Sequence, residues 1–314
     1  MVDLALLGCG GGMPIPERYL SSLLISYKGR KILLDCGEGT QVSMKILGWG
    51  FKSIDVICIT HGHADHIVGL PGILLTIGNS GRTDPITIIG PIGITEIVKG
   101  LRVAAPYLPY ELNILENPQE PVEIQALINS DNPSIGGFND LIISTLELEH
   151  STNCLGYSFY FSRKPKFEVE SATKNKIPKK FWNRLQKNEI IIEHGNTYLP
   201  SMVLGKERIG IKISFITDTR VVGKITTFIK ESDLFICEGT YGNEDDIEKA
   251  IRNKHMTFSE AAELALSGEV QELLLTHFSP SMLNPEEYKD RAEGIFKNTT
   301  IGFDRLVKTI SFKD

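Results

Sequence analysis

Short apolar runs, each closed by a polar or Gly-rich break, recur along the chain and set its first-order organisation. Runs this brief and rich in β-branched residues read as buried strands rather than helices. They predict strands over residues 4–7, 21–27, 31–35, 54–59, 86–89, 141–148, 155–161, 211–216, 234–237 and 272–276. Mixed apolar and polar stretches between them predict a helix ending near 47 and others over 66–77, 92–103, 221–230, 244–252, 257–266 and 285–296, with short mixed segments up to Asn132. Strands alternating with helices place the chain in the α/β class. No repeat of fixed period is present. The Gly-rich stretch 8–14 follows a strand but leads into another strand rather than a helix. That argues against a dinucleotide loop and leaves the glycines to bring backbone close to a site.

The chemistry lies in the breaks. Thr60-His61-Gly62-His63-Ala64-Asp65-His66 directly follows the strand over 54–59, and its imidazole and carboxylate donors are those a borderline divalent ion such as zinc binds best. His150, Asp218 and His277 likewise each close a predicted strand. Ligand sites in α/β sheets gather at strand ends of one polarity, so these residues are read together as a metal site. His194, beside Gly195, reads as plain surface.

Composition narrows the class. At 314 residues, 41% hydrophobic and 23% charged, the chain has ample material for a core and reads as soluble. No apolar stretch approaches the roughly 18 residues of a membrane span, so no membrane partner is expected. The first residues show no basic leader, and no signal peptide is expected. Five scattered cysteines without a C-x-x-C pair suit a reducing cytoplasm. A net charge of −6 argues against indiscriminate nucleic-acid binding. Residues 163–187 nevertheless hold nine Lys or Arg against Glu168 and Glu170, with Phe167, Phe181 and Trp182 among them.

On these residues the sequence resembles the metallo-β-lactamase superfamily, whose H-x-H-x-D-H pattern is met by His61, His63, Asp65 and His66. Within it the resemblance is to the ribonuclease Z family of tRNA 3′-processing endonucleases, and it runs almost end to end. It is carried by Leu7-Gly8-Cys9-Gly10-Gly11-Gly12, Ser21-Ser22, Asp35-Cys36-Gly37-Glu38-Gly39-Thr40-Gln41, Asp65 through Gly72 and Glu149-His150. Gly156-Tyr157, Asp218-Thr219-Arg220, Glu238-Gly239-Thr240, His255-Met256-Thr257 and Thr276-His277-Phe278-Ser279 continue it.

The resemblance implies a four-layer αββα sandwich, a single domain over 1–314 with an inserted basic arm at 163–208. Two metal ions would lie in the groove between the sheets. It gives one zinc to His61, His63 and His150, the other to Asp65, His66 and His277, with Asp218 bridging. Two zinc ions need about four protein ligands each, less the positions left open, and seven candidates supply that number. The expected reaction is cleavage of the 3′ extension of a tRNA precursor by a hydroxide held between the ions, leaving a tRNA 3′-hydroxyl and a 5′-phosphate on the trailer.

Asp65 is expected to steer the nucleophile's proton. With the ligands so assigned, His255 is the candidate general acid for the leaving 3′-oxygen, oriented by Glu238. The family's arm grips the tRNA body, which makes Lys164, Lys166, Lys179, Lys180 and Arg184 candidate phosphate contacts. Family members are commonly homodimers, so a homodimer is expected. The chain departs from the family pattern at four places. The arm lacks a Gly-Pro pair, Ser281-Met282 replaces an Arg-Tyr, Cys9 replaces Thr and Thr217 replaces Gly. Two other readings are a related phosphodiesterase acting on other RNA or cyclic nucleotides, and a non-catalytic metal-containing RNA-binding module.

Overall fold

The computed structural model describes residues 1–124 and 140–313, so the predicted segments between Ile124 and Asn132 lie outside the described residues. The chain divides into two compact units, one of Met1–Phe161 with Ile211–Phe312, the other Ser162–Gly210 with the last two residues.

The first unit begins with β1 (Val2–Gly8), β2 (Ser22–Tyr27), β3 (Arg30–Leu34), β4 (Ile54–Cys58), β5 (Ile86–Gly90) and β6 (Leu112–Glu116). It continues with β7 (Val122–Glu123), β8 (Leu141–Leu148) and β9 (Cys154–Arg163). The hairpin β10 (Ile191–Glu193) and β11 (Asn196–Tyr198) belongs to the second unit. After it come β12 (Arg208–Ile216), β13 (Leu234–Glu238), β14 (Leu273–Thr276), β15 (Thr299–Ile301) and β16 (Leu306–Ile310). The other fourteen described strands form two mixed seven-stranded sheets, in the orders β16-β1-β2-β3-β4-β5-β6 and β15-β14-β13-β12-β9-β8-β7.

Period-two alternation explains the layering. On β1, Val2, Leu4 and Leu6 enter the larger core, which also holds the apolar faces of the second sheet. Ala5 and Leu7 point the other way, into a core shared with helical residues Met44, Leu70, Ile73, Ile77, Ile94 and Val98. β2 and β3 repeat the pattern, with Leu23, Ile25, Ile32 and Leu34 on one side and Leu24 and Leu33 on the other. On the far side of the second sheet the helix Phe258–Ser267 packs Phe258, Ala261, Ala262 and Ala265 into the larger core. Two sheets face to face with helices outside make an αββα sandwich.

One buried ionic cluster ties the first sheet together. Asp55 on β4, 2% exposed, accepts hydrogen bonds from Arg30 and from Arg82 Nη1 at 2.8 Å. Arg82, also 2% exposed, donates to the carbonyls of Asp84, Lys52 and Pro85 as well.

Several expectations need correction. The helix predicted over 66–77 is two pieces, Ala64–Ile67 and Leu70–Asn79. Gly69 separates them because the chain passes too close to the loop before it: its N–H donates to Cys36 O at 2.8 Å, and a Cβ there would lie 2.5 Å from Gly37 O. Pro71, lacking an N–H, is tolerated in the new first turn. The last predicted helix shortens to the 3-10 turn Pro285–Tyr288 and Lys289–Glu293. Neither β15 nor β16 was expected; β16 pairs antiparallel with β1 and closes one edge of the first sheet.

The second unit has its own core of Ala172, Ile177, Phe181, Leu185, Ile191 and Val203. Phe167 packs on Trp182 with ring centroids 5.1 Å apart, so the aromatics among the charges serve that core. His194 sits exposed at the hairpin turn with a positive φ of 50°.

Candidate active site

Strand register assembles the site. β12, β13 and β14 run parallel, with Ile216 opposite Cys237 and Glu238 opposite Thr276. Asp218, Glu238 and His277 therefore emerge together at the carboxyl ends of three adjacent strands. His150 follows β8 in the same sheet, and the His61–His66 stretch follows β4 in the facing one. Tyr157 on β9 donates to Ile59 O at 2.7 Å, and Leu155 N donates to Thr60 O at 2.9 Å, so the two sheets are stitched at this point.

Two groups result. His61, His63, His150 and Asp218 have donor atoms all within 4.8 Å of one another, and so do Asp65, His66, His277 and Asp218. Asp218 faces both, one oxygen to each. Its Oδ2 lies 3.7 Å from His61 Nε2 and 3.8 Å from His150 Nε2; its Oδ1 lies 3.4 Å from His66 Nε2 and 3.2 Å from His277 Nε2. Asp65 Oδ2 is 3.5 Å from His66 Nε2 and 3.4 Å from His277 Nε2, and accepts the Gly12 N–H at 2.6 Å. The neighbouring Gly11 has to be glycine, since a Cβ would meet the His277 ring at 2.4 Å.

The donors fit divalent metal ions. His61 Nε2 is buried and has no hydrogen-bond partner, which costs free energy unless something else takes its lone pair. Its other nitrogen is already engaged, 3.1 Å from Thr60 Oγ1. Five imidazoles and two carboxylates form the nitrogen and oxygen donor set that suits zinc-like ions. A third group, Glu238, His255 and His277, has similar spacing but does not fit an ion. Glu238 is saturated: its oxygens accept from Thr219 N at 2.7 Å, Thr240 Oγ1 at 2.6 Å, Met256 N at 3.1 Å and His255 Nδ1 at 3.1 Å.

Electrostatics separate the roles. Burial, helped by the neighbouring His66 charge, holds His61 well below the usual histidine range, so it is neutral. Burial also lowers His150. For Asp218 burial acts upward, but the charges of His277 and His66 outweigh it and hold the carboxyl well below the usual range. Asp65 is kept ionised in the same way, by hydrogen bonds from His277 and His66 acting against burial. His255 differs. Burial would lower it, yet the charge and hydrogen bond of Glu238 raise it to about 9, so it carries a proton at neutral pH. Its Nδ1 lies 4.0 Å from Asp218 Oδ2, and it lines a cleft of about 530 Å³ shared with His63, Asp65, Asp218 and His277.

Four supporting residues carry no role in the sequence reading. Asp35, fully buried, accepts His66 Nδ1 at 2.7 Å and the Thr60 hydroxyl at 2.8 Å. Thr240 links Glu238 to His277, and the Thr217 hydroxyl donates to Asp218 Oδ1 at 2.6 Å. Asp35 closes a strand just as Asp218 does, and that placement was the available signal. In the second unit, Lys180 is paired with Glu193 and Arg184 with Glu189, each at 2.8 Å, and Lys179 lies over the Trp182 ring. Lys164 and Lys166 belong to neither the arm's core nor the metal groups.

A family model described as anti-Pycsar protein Apyc1 matches residues 2–203. The match ends before Asp218, His255 and His277. Ribonuclease Z of Clostridium beijerinckii is 60% identical over 316 residues, covering 100% of both chains. Ribonuclease Z of Clostridioides difficile is 55% identical over 314 residues, again covering 100% of both. Among solved structures, human tRNase Z, short form, aligns with 99% of this chain and 100% of its own at TM-score 0.66 and 23% identity. The metallo-β-lactamase fold protein YhfI of Bacillus subtilis aligns over 98% and 100% at TM-score 0.68 and 17% identity. These two likenesses concern the fold.

Proposed function

Because the chain belongs to the ribonuclease Z family, and over residues 2–203 to the family described as anti-Pycsar protein Apyc1, we propose that its two His/Asp groups hold two zinc ions at the cutting site. The chain is a metal-dependent endoribonuclease of tRNA 3′ processing. His61, His63 and His150 hold one ion, Asp65, His66 and His277 the other, and Asp218 is shared. The observation that carries this reading is the division of the two Asp218 oxygens between the two groups.

Bound there, the ions would supply Lewis acidity toward a phosphodiester and toward the attacking water. The protein's own part is positioning and proton control. Asp65, ionised and tied to the Gly12 N–H, offers a fixed acceptor that orients the nucleophile's proton. His255, protonated and held by Glu238, donates to the departing 3′-oxygen, which leaves the tRNA with a 3′-hydroxyl and the trailer with a 5′-phosphate. His255→Ala should slow turnover by about 10²–10⁴-fold without emptying the metal site. The protonated form is present below the raised value and lost as pH rises through it. The wild-type rate should therefore fall on an alkaline limb near 9, and that limb should vanish in the variant. Metal loss in His255→Ala would make His255 a ligand instead.

The second unit, 162–210, is assigned to gripping the body of the tRNA, a role its basic surface supports. A homodimer, which the family resemblance implies, and a reducing cytoplasm, which five buried free cysteines fit, complete the proposal. The test is incubation of purified protein with a 3′-extended tRNA precursor, with and without a chelator, mapping the cut to the nucleotide. Cleavage at the tRNA 3′ end that chelator abolishes and zinc restores is expected; cleavage indifferent to the chelator sinks the metal assignment. The same assay on a chain lacking 165–185 should show weakened tRNA cleavage beside unchanged hydrolysis of bis-p-nitrophenyl phosphate. Equal loss on both substrates would remove the arm from tRNA binding.

A further inference from the structure

Two threonines occupy matching positions on the two sides of the site. Thr60 follows β4 and Thr240 follows β13, and each bonds a buried carboxylate and a histidine ring at once. Thr60 Oγ1 donates to Asp35 Oδ2 at 2.8 Å and lies 3.1 Å from His61 Nδ1. Thr240 Oγ1 donates to Glu238 Oε2 at 2.6 Å and lies 3.1 Å from His277 Nδ1.

A hydroxyl has one proton to donate and two lone pairs. A carboxylate is the strongest acceptor within reach, and both carboxylates are fully buried. With the proton committed there, the threonine oxygen can only accept from the ring. An imidazole that donates from Nδ1 while neutral carries its lone pair on Nε2. In His277 that nitrogen faces Asp65 and Asp218, and in His61 it is the buried atom without a partner.

We infer that Thr60 and Thr240 are paired positioning residues, each fixing its histidine, His61 or His277, as the Nδ1–H tautomer with Nε2 turned to the metal groups. His66 is set the same way by Asp35 directly, at 2.7 Å, and His150 by the Lys254 carbonyl at 3.3 Å. Four of the five rings thus present the same nitrogen inward, two of them through a hydroxyl. Thr240 also joins the two functions, since the carboxylate that takes its proton is the one that holds His255. The inference rests on the reading of these Nε2 atoms as ligands.

The experiment follows histidine Nδ1–H protons in zinc-loaded protein by long-range ¹H–¹⁵N spectra of labelled histidine, for wild type, Thr60→Val, Thr240→Val and the two serine variants. Wild type should show His61 and His277 as Nδ1–H. Each valine variant should shift the Nδ1–H signal of its own histidine and speed its exchange with solvent, and each serine variant should restore the wild-type signal. Zinc affinity, measured by competition with a chromophoric chelator, should fall roughly 10-fold to 100-fold in the valine variants and recover with serine. Unchanged Nδ1–H signals in the valine variants, or serine variants that behave like valine, would overturn the inference. Wild-type protein that binds no zinc would instead overturn the metal reading.

Discussion

Asp218→Asn is expected to abolish cleavage of a 3′-extended tRNA, by at least about 10³-fold, and to reduce bound metal while the fold stays intact. The choice of asparagine follows from the backbone. Asp218 has φ 51°, a left-handed conformation that asparagine tolerates and alanine does not favour. The amide side chain would keep the volume and the bond from the Thr217 hydroxyl, so stability should change little. What it cannot keep is charge. Four histidine Nε2 atoms lie within 3.8 Å of the two Asp218 oxygens, and a neutral amide cannot bind an ion on either side with an anionic oxygen. Asp218→Ala should lose activity equally and additionally lower the melting temperature through backbone strain. Cleavage by Asp218→Asn within tenfold of wild type would refute a shared carboxylate.

The second large effect is on stability and lies away from the chemistry. Asp55→Ala should destabilise the protein by about 3–5 kcal/mol, because it leaves the buried Arg82 guanidinium facing no anion and removes the partner of Arg30. At this chain length that corresponds to a fall of about 5–8 °C in melting temperature. Arg82 cannot escape to water, since three backbone carbonyls also hold it. Thermal melts of Asp55→Ala and Arg82→Met test the point. The alanine variant should be the less stable of the two, since methionine removes the buried charge together with its bond. Equal stabilities near wild type would show that the cluster is solvated.

What the sequence could disclose depended on range. Strands such as β1 and β4 are legible because their apolar residues are neighbours in the chain, and His61, His150 and His277 stand out because each directly follows such a run. The Asp35–Thr60–His66 bonds join residues 25 and 31 positions apart, and no local spacing says which acid will meet which ring. Left-handed backbone at Asp35, Asp218 and His277 turns these side chains into the site, and nothing in their neighbours announces it. β16 escaped notice because only Leu306 of its five residues is buried, leaving a weak apolar signal on an edge strand. For the arm, the basic character was visible but the ion pairs that engage Lys180 and Arg184 were not. Glu189 and Glu193, which pair with Arg184 and Lys180, lie just past the positively charged stretch.

The chain leaves the second sheet at the end of β9 and returns on β12, its immediate neighbour in the strand order. The two points that the 49 residues from Ser162 to Gly210 must join are thus held close by the sheet itself. Closing a loop across a fixed short gap costs entropy that grows only logarithmically, about 0.6 kcal/mol for each doubling of length. A segment with its own core inserted there can be lengthened, trimmed or exchanged with little penalty to the sandwich. The sandwich that carries the site and the inserted unit can therefore drift independently, like a blade that accepts different handles.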